Sequence, residues 1–314
     1  MLLLFIVSGV LLLSGCSTTS KLRPGERTEK KNRAADYAAK GAHYFDDAAF
    51  NKALDLFFLA LKENILVDSD PGIIESYNSI GKTYLAAGKI DSAETYYSKA
   101  LEVAVAYNDP HLLLRCKNNK GEILLARKDY TSALALFKEA YSALSHPEKD
   151  ADAAVILHNI GVAEKRLGNY AEAETYLLKS RALNKKNNRW KEMALDSYTL
   201  ASLYSKMNHC PEAMDAINKA LELDKLIENS YGIAGDLYAR GILQQKAGSP
   251  KEAYYSFKRA ALIFESLGLP SALVNCLTKL EYLAKKLSYH DDLILWQTTR
   301  KKLENGNGTP SRKQ

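Results

Sequence analysis

The feature that most constrains the fold is a recurrence: Gly41, Gly81, Gly121, Gly161, Ala201 and Gly241 stand forty residues apart. Twelve positions after each comes Ala53, Ala93, Ala133, Ala173, Ala213 or Ala253, and four further on Phe57, Tyr97, Phe137, Leu177, Ile217 or Phe257. Three beyond those stand Ala60, Ala100, Ala140, Ser180, Ala220 and Ala260. A chain that repeats itself at such a period builds one supersecondary unit several times, and each unit buries its apolar stripe only against its neighbours. The large and small residues three apart share one helix face and are expected to pack between units. The small residue of the first column is expected to let a second helix cross closely, with the alanine twelve positions on supplying the matching hollow. Two helices per unit and a continuous core follow, so the expected fold class is all-α.

Turn signals divide each unit at the same place. Gly88, Gly168 and Gly248, with Asn208, fall seven residues after the small column, where a helix ends and positive φ is often needed. Asp91, Thr131 and Ser249 suit a cap or first turn of the helix that follows, and Pro211 and Pro250 suit a helix start, where a missing N–H costs little. Pro71, Pro110, Pro147 and Pro270 are assigned to connections between units, which leaves every helix interior free of proline.

The run Tyr77, Ile80, Gly81, Tyr84, Gly88, Ala93, Tyr97, Ala100 resembles the tetratricopeptide repeat pattern, in which such residues occupy fixed offsets. The resemblance covers about residues 34–260, followed by a degenerate seventh unit in which Leu277, Leu280, Leu283, Leu287 and Leu293 keep the apolar positions and Glu281 replaces the glycine. It implies a right-handed α-α superhelix of about six to seven helix–turn–helix repeats spanning residues 34–304, with residues 305–314 as a disordered tail. The family repeat is usually 34 residues long. The six extra residues here fall after the last alanine, as in Leu101 to Tyr107, and are expected to lengthen the second helix. Units of this length resemble those of bacterial Rap-type regulators and eukaryotic polarity adaptors of the Pins kind, which bind peptides or proteins.

The N-terminus differs in character. Leu2 to Leu13 is almost wholly apolar yet shorter than the roughly 20 residues that span a bilayer, and it reads as a signal-peptide core over residues 1–15. Leu13-Ser14-Gly15-Cys16 resembles the bacterial lipobox, although no basic segment precedes the apolar run. The resemblance implies cleavage before Cys16, lipidation of its thiol with palmitate-type chains, and stable anchoring to a membrane by more than one chain. An ordinary secretory signal whose cleavage site ends in cysteine is the alternative. Ser17 in the next position points by resemblance to the periplasmic face of the outer membrane. Residues 16–33 are polar and are expected to form a flexible tether. Cys116, Cys210 and Cys276 lack paired metal spacing and read as small apolar fillers.

By the same resemblance, first helices line a concave face, with positions three before and one after the small column pointing into it. Those positions hold Asn78 and Lys82, Asn118 and Glu122, His158 and Val162, Tyr198 and Ser202, Tyr238 and Ile242, with Asn119 and Asn159 beside them. Amide side chains both donate to and accept from a peptide backbone, and tyrosines supply amphipathic contact surface. Ordinary solvated helix residues are the plainer reading of the same positions.

The formal charge of +6, from 43 Lys+Arg and 37 Asp+Glu, is spread along the chain, and a nucleic-acid footprint needs clustering on one face. The six histidines are scattered, with no paired metal-binding spacing and no phosphate-cradling glycine loop, so no enzyme, cofactor, metal site or small-molecule substrate is expected. The leading expectation is a membrane-anchored scaffold that binds a protein or peptide segment in its groove for envelope assembly or localisation. The alternatives are a pilotin-like lipoprotein for pilus or secretin assembly and a peptide-sensing regulator.

Overall fold

The computed structural model describes residues 24–305 apart from Lys149, and the expected signal peptide, Cys16 and the segment after Asn305 lie outside the described residues. Among the described residues the chain forms fourteen helices and no strand. They are α1 (Pro24–Asp46), α2 (Phe50–Leu66), α3 (Asp70–Ala86), α4 (Ile90–Tyr107), α5 (Pro110–Ala126), α6 (Tyr130–Ser142), α7 (Ala151–Leu167), α8 (Tyr170–Lys186), α9 (Trp190–Lys206), α10 (Cys210–Leu226), α11 (Ser230–Lys246), α12 (Pro250–Ser266), α13 (Pro270–Lys286) and α14 (His290–Glu304). They stack as seven consecutive antiparallel pairs, the all-α solenoid that the forty-residue period predicts.

The backbone repeats at half that period. Positive φ recurs at Ala48, Asp68, Gly88, Asn108, Lys128, Gly168, Asn188, Asn208, Glu228, Gly248, Gly268 and Ser288, every twenty residues except at 148. Most of these turns close in one way: at Gly88 the Lys89 N–H donates to the Tyr84 carbonyl (2.9 Å) and the Gly88 N–H to that of Leu85 (3.0 Å). This pair of bonds satisfies carbonyls that the helix end leaves free and turns the chain back on itself. The exception lies beside a proline. Pro147 disfavours helical geometry in the residue before it, and α6 stops at Ser142 after 13 residues instead of 17.

Three expectations change. Pro71, Pro110 and Pro270 lie in the first turns of α3, α5 and α13, not in the connections. In the fourth, fifth and sixth units the first and second helices are both 17 residues long, so the extra length is not a property of the second helix alone. Helix α1 begins at Pro24, so residues 24–33, read as part of the tether, are helical. Their Arg33 and Lys30 pair with Glu63 of α2 at 3.2 and 3.7 Å.

The close crossing within each unit is also built differently from the small-on-small arrangement. A Cβ added at Gly81 would meet the Tyr97 ring at 2.6 Å, at Gly41 the Phe57 ring at 2.7 Å, at Gly161 the Leu177 side chain at 2.7 Å, and at Gly241 the Phe257 ring at 2.9 Å. The glycine is therefore the seat of the large residue sixteen positions on, while the alanines twelve positions on are fully buried beside it. In the fifth unit Ala201 carries a Cβ, and its partner is the slimmer Ile217. The degenerate last unit closes the stack: α14 buries no residue, and it is tied to α12 by the Tyr254 hydroxyl, which donates to Asp292 and accepts from Trp296 Nε1 at 3.1 Å. No helix of the described residues is long and apolar enough to cross a membrane.

Candidate functional site

Successive first helices approach one another directly, α1 with α3, α3 with α5, α5 with α7 and α7 with α9, whereas successive second helices make no approach of that extent. The first helices thus form the inner layer, and two cavities open between them.

The first cavity, about 260 Å³, lies among α3, α5 and α7. Its floor is a ladder of amides. Asn119 Nδ2 donates to Asn78 Oδ1 (2.8 Å), and Asn159 Nδ2 donates to Asn118 Oδ1 (2.9 Å) and to Glu122 Oε1 (3.2 Å). Glu122 Oε1 also accepts from Asn118 Nδ2 at 3.2 Å, and its other oxygen accepts from the Tyr97 hydroxyl at 3.4 Å. The ladder exists because consecutive first helices present the same column to one another about forty residues on, and buried amides are stable only when paired. Asn78, Asn118 and Asn159 are accordingly buried; most of their hydrogen-bonding capacity is taken up within the protein. One group is not satisfied: Asn78 Nδ2 is buried with no partner among the described residues.

The rim of this cavity carries both signs of charge. Arg115 contacts Glu75 and lies 3.7 Å from Asp152, and burial raises the Asp152 carboxyl above its ordinary range although Arg115 opposes the shift. Lys82 is exposed, with its ammonium 5.3 Å from the centre of the Phe45 ring. Burial, with Glu122 beside it, raises the Tyr97 phenol. Lys82, Arg115 and Arg189 against Glu75, Glu122 and Asp152 make a wall without net charge.

The second cavity, about 280 Å³, lies between α9 and α11 and is lined by Tyr198, Ser202, Lys206, Tyr238 and Ile242 among others. Tyr198 is 40% exposed, and Tyr238 stands edge-on to Phe257 at 5.3 Å. Lys165, from α7, is buried and reaches Ser202 Oγ at 3.4 Å. Burial, reinforced by Arg166 and Lys206, pulls its ammonium down to about 8. This half of the inner face is aromatic and flanked by cations.

His158 does not open on either cavity. Its Nδ1 lies 2.7 Å from Asp196 Oδ1, and that fully buried carboxylate also receives Asn184 Nδ2 (2.8 Å) and the Ser180 hydroxyl (2.9 Å). The cluster clamps α7, α8 and α9 together. Its one sequence signal is Ser180, the single hydroxyl in an alanine column.

Of the expected groove residues, Lys82, Asn78, Asn118, Asn119 and Glu122 line the first cavity and Tyr198, Ser202 and Tyr238 the second. Sequence reading did not place Glu75, Arg115, Tyr97 or Asp152 at the groove. Glu75 and Arg115 had a signal: each lies three residues before an expected groove position, hence on the same helix face. Tyr97 is shared with the core, and Asp152 depends on how α7 starts after the irregular turn.

Taken together, the chain is a helical-repeat solenoid with a hydrogen-bonding inner face. Tetratricopeptide repeats are recognised by a family match over residues 72–145 and 152–225. The fold is similar to that of a Rap protein complexed with competence and sporulation factor, with 17% identity and a TM-score of 0.64 over 88% of this chain and 76% of that one. It is also similar to the Rap conjugation gene regulator of the plasmid pLS20 in complex with the Phr* peptide, with 16% identity and a TM-score of 0.59 over 81% and 68% of the two chains. A third similar structure is aspartyl phosphate phosphatase F from Bacillus subtilis, with 15% identity and a TM-score of 0.58 over 92% and 75%. At these identities the likeness is one of fold. A comparison with curated protein sequences finds no match.

Proposed function

We propose that this chain is a binding scaffold that holds a peptide or extended protein segment along the inner face of its solenoid. The observation that carries the reading is the first cavity itself, about 260 Å³, which brings Asn78, Lys82, Asn118, Asn119 and Glu122 of successive first helices to one polar opening. The charge-balanced rim suits a peptide, which carries donors and acceptors in equal number, and the tyrosines of the second cavity offer broad contact to its side chains.

The second reading, a peptide-responsive regulator, is favoured by the fold-level likeness to the two Rap structures that contain a factor or peptide. In the first reading Cys16 carries lipid and holds the scaffold on a membrane, at the periplasmic face of the outer membrane by the Ser17 resemblance, with a role in envelope assembly or localisation; lipidation of Cys16 weighs against a direct parallel with Rap-type regulators.

The groove is tested by quantitative affinity capture with wild type and a Lys82→Glu/Tyr198→Ser/Tyr238→Ser variant whose helicity is checked by circular dichroism. Partners enriched by the wild type are expected to be lost by the variant. Equal recovery by a folded variant would refute the inner-face assignment. The anchor is tested by labelling cells with a palmitate analogue: incorporation into wild type but not Cys16→Ser is expected, and an unlabelled wild type refutes lipidation.

A further inference from the structure

A wider opening than either inner-face cavity lies elsewhere on the described residues. It is an open groove of about 1060 Å³ on the opposite side, between the second helices α8 and α10, and its residues have no part in the proposed function. Its apolar surface comes from Leu178 of α8, Trp190 and Met193 at the start of α9, and Leu226 at the end of α10. Three of these are open to solvent: Leu226 is 67% exposed and Leu178 and Trp190 are 37% each.

The charges around this surface are one-sided. Arg181, Lys185, Lys219, Lys225 and Arg240 line the groove, with Glu222 as the single carboxylate, and Glu222 is paired with Lys219 at 2.9 Å. The other four cations have no carboxylate within ion-pair distance among the described residues. Arg240 is the most unusual of them. It occupies the column one residue before the small position, which holds Ile80, Ile160, Leu200 and Leu280 in four units, all fully or almost fully buried, and the exposed Lys40 and Lys120 in the first and third. Unlike those two lysines it is half-buried, and among the described residues its guanidinium donates only to Ser256 Oγ, at 3.3 Å. Burial, with Arg259 nearby, weakens its hold on its proton. A cation kept in a desolvated place without a counter-ion is costly unless an acid meets it.

From the charge and shape of this groove we propose that it is a second docking site, and that its occupant is an acidic amphipathic helix of a protein partner. The two bounding helices of 17 residues give walls about 25 Å long, which matches a helix laid in a groove. The partner's apolar stripe covers Leu178, Trp190 and Leu226, and carboxylates flanking that stripe meet Arg181, Lys185, Lys225 and Arg240. The site is separate from the inner face, so a segment held there and a helix held here are bound at the same time.

Trp190 supplies the reporter. The sequence has two tryptophans, and Trp296→Phe leaves Trp190 as the only one. The full chain carrying that change is titrated with a synthetic leucine/glutamate helix of about five turns whose leucines follow i, i+3 and i+4 spacing. A saturable blue shift of the emission is expected, falling with added salt and absent with the leucine/lysine counterpart. Adding Arg181→Glu, at a half-buried position, and Lys185→Glu and Lys225→Glu, at exposed ones, is expected to weaken binding by about tenfold or more, with helicity unchanged by circular dichroism. No shift with the acidic helix, an equal shift with the basic helix, or undiminished binding by the folded charge-reversed variant would each overturn the proposal. Vesicles of phosphatidylglycerol and phosphatidylcholine are the final arm: a shift as strong as that caused by the helix would assign the groove to an anionic lipid surface instead.

Discussion

Replacing Gly81 by alanine probes the contact that defines each repeat. The added Cβ would lie 2.6 Å from two atoms of the Tyr97 ring, about 1 Å inside the ~3.5–4.0 Å at which carbon atoms pack best. Tyr97 is 5% exposed and its hydroxyl is held by Glu122, so the ring cannot swing into solvent and the helices must part. Overpacking of this kind costs about 1–3 kcal/mol, and alanine in a helix interior recovers about 1 kcal/mol over glycine. The net expectation is a loss of up to about 2 kcal/mol, read as a lowered urea midpoint. The Ala201 and Ile217 pair shows what relieves the strain. Gly81→Ala combined with Tyr97→Ile is expected to be less destabilised than the sum of the two single changes, by a coupling of about 1–2 kcal/mol. If Gly81→Ala raises the midpoint by the full helix-propensity gain, or the double change is additive, the seat of the ring is not what the glycine column provides.

Two further outcomes follow from buried carboxyls. Asp236, fully buried against Asp224 at the α10–α11 junction, is raised by burial and then by that neighbouring carboxyl from 3.8 to about 8. Between those values the folded state holds a proton that the unfolded chain has lost. Its contribution is thus fully present below about pH 4, and stability falls as pH rises through that window, at up to about 1.4 kcal/mol per pH unit. Asp236→Asn is expected to flatten the denaturation midpoint between pH 5 and 8, and an unchanged slope would contradict the assignment. Asp196→Ala strips the acceptor from His158, Asn184 and Ser180 at once, and breaking such a buried cluster is expected to cost about 3–5 kcal/mol. A loss below about 1 kcal/mol, typical of a surface pair, would show that the cluster does not clamp α7 to α9.

The sequence alone determined the architecture, because a period of forty with faithful columns admits few arrangements other than stacked helical pairs. It also marked the inner-face column, since the offset from each glycine places Asn78, Asn118, Tyr198 and Tyr238 on the same side of their helices. What those side chains do was settled only by the tertiary structure. The amides of Asn78, Asn118 and Asn159 are forty residues apart or nearly so, and nothing in their spacing says whether they reach out to a ligand or across to each other. Several of the turns were equally hidden, because Ala48, Lys128, Glu228 and Ser288 adopt positive φ under the pull of packed helices rather than by their own preference. The groove between α8 and α10 was silent for the same reason: Leu178, Trp190 and Leu226 look like core residues in the sequence. Only the separation of successive second helices leaves them uncovered.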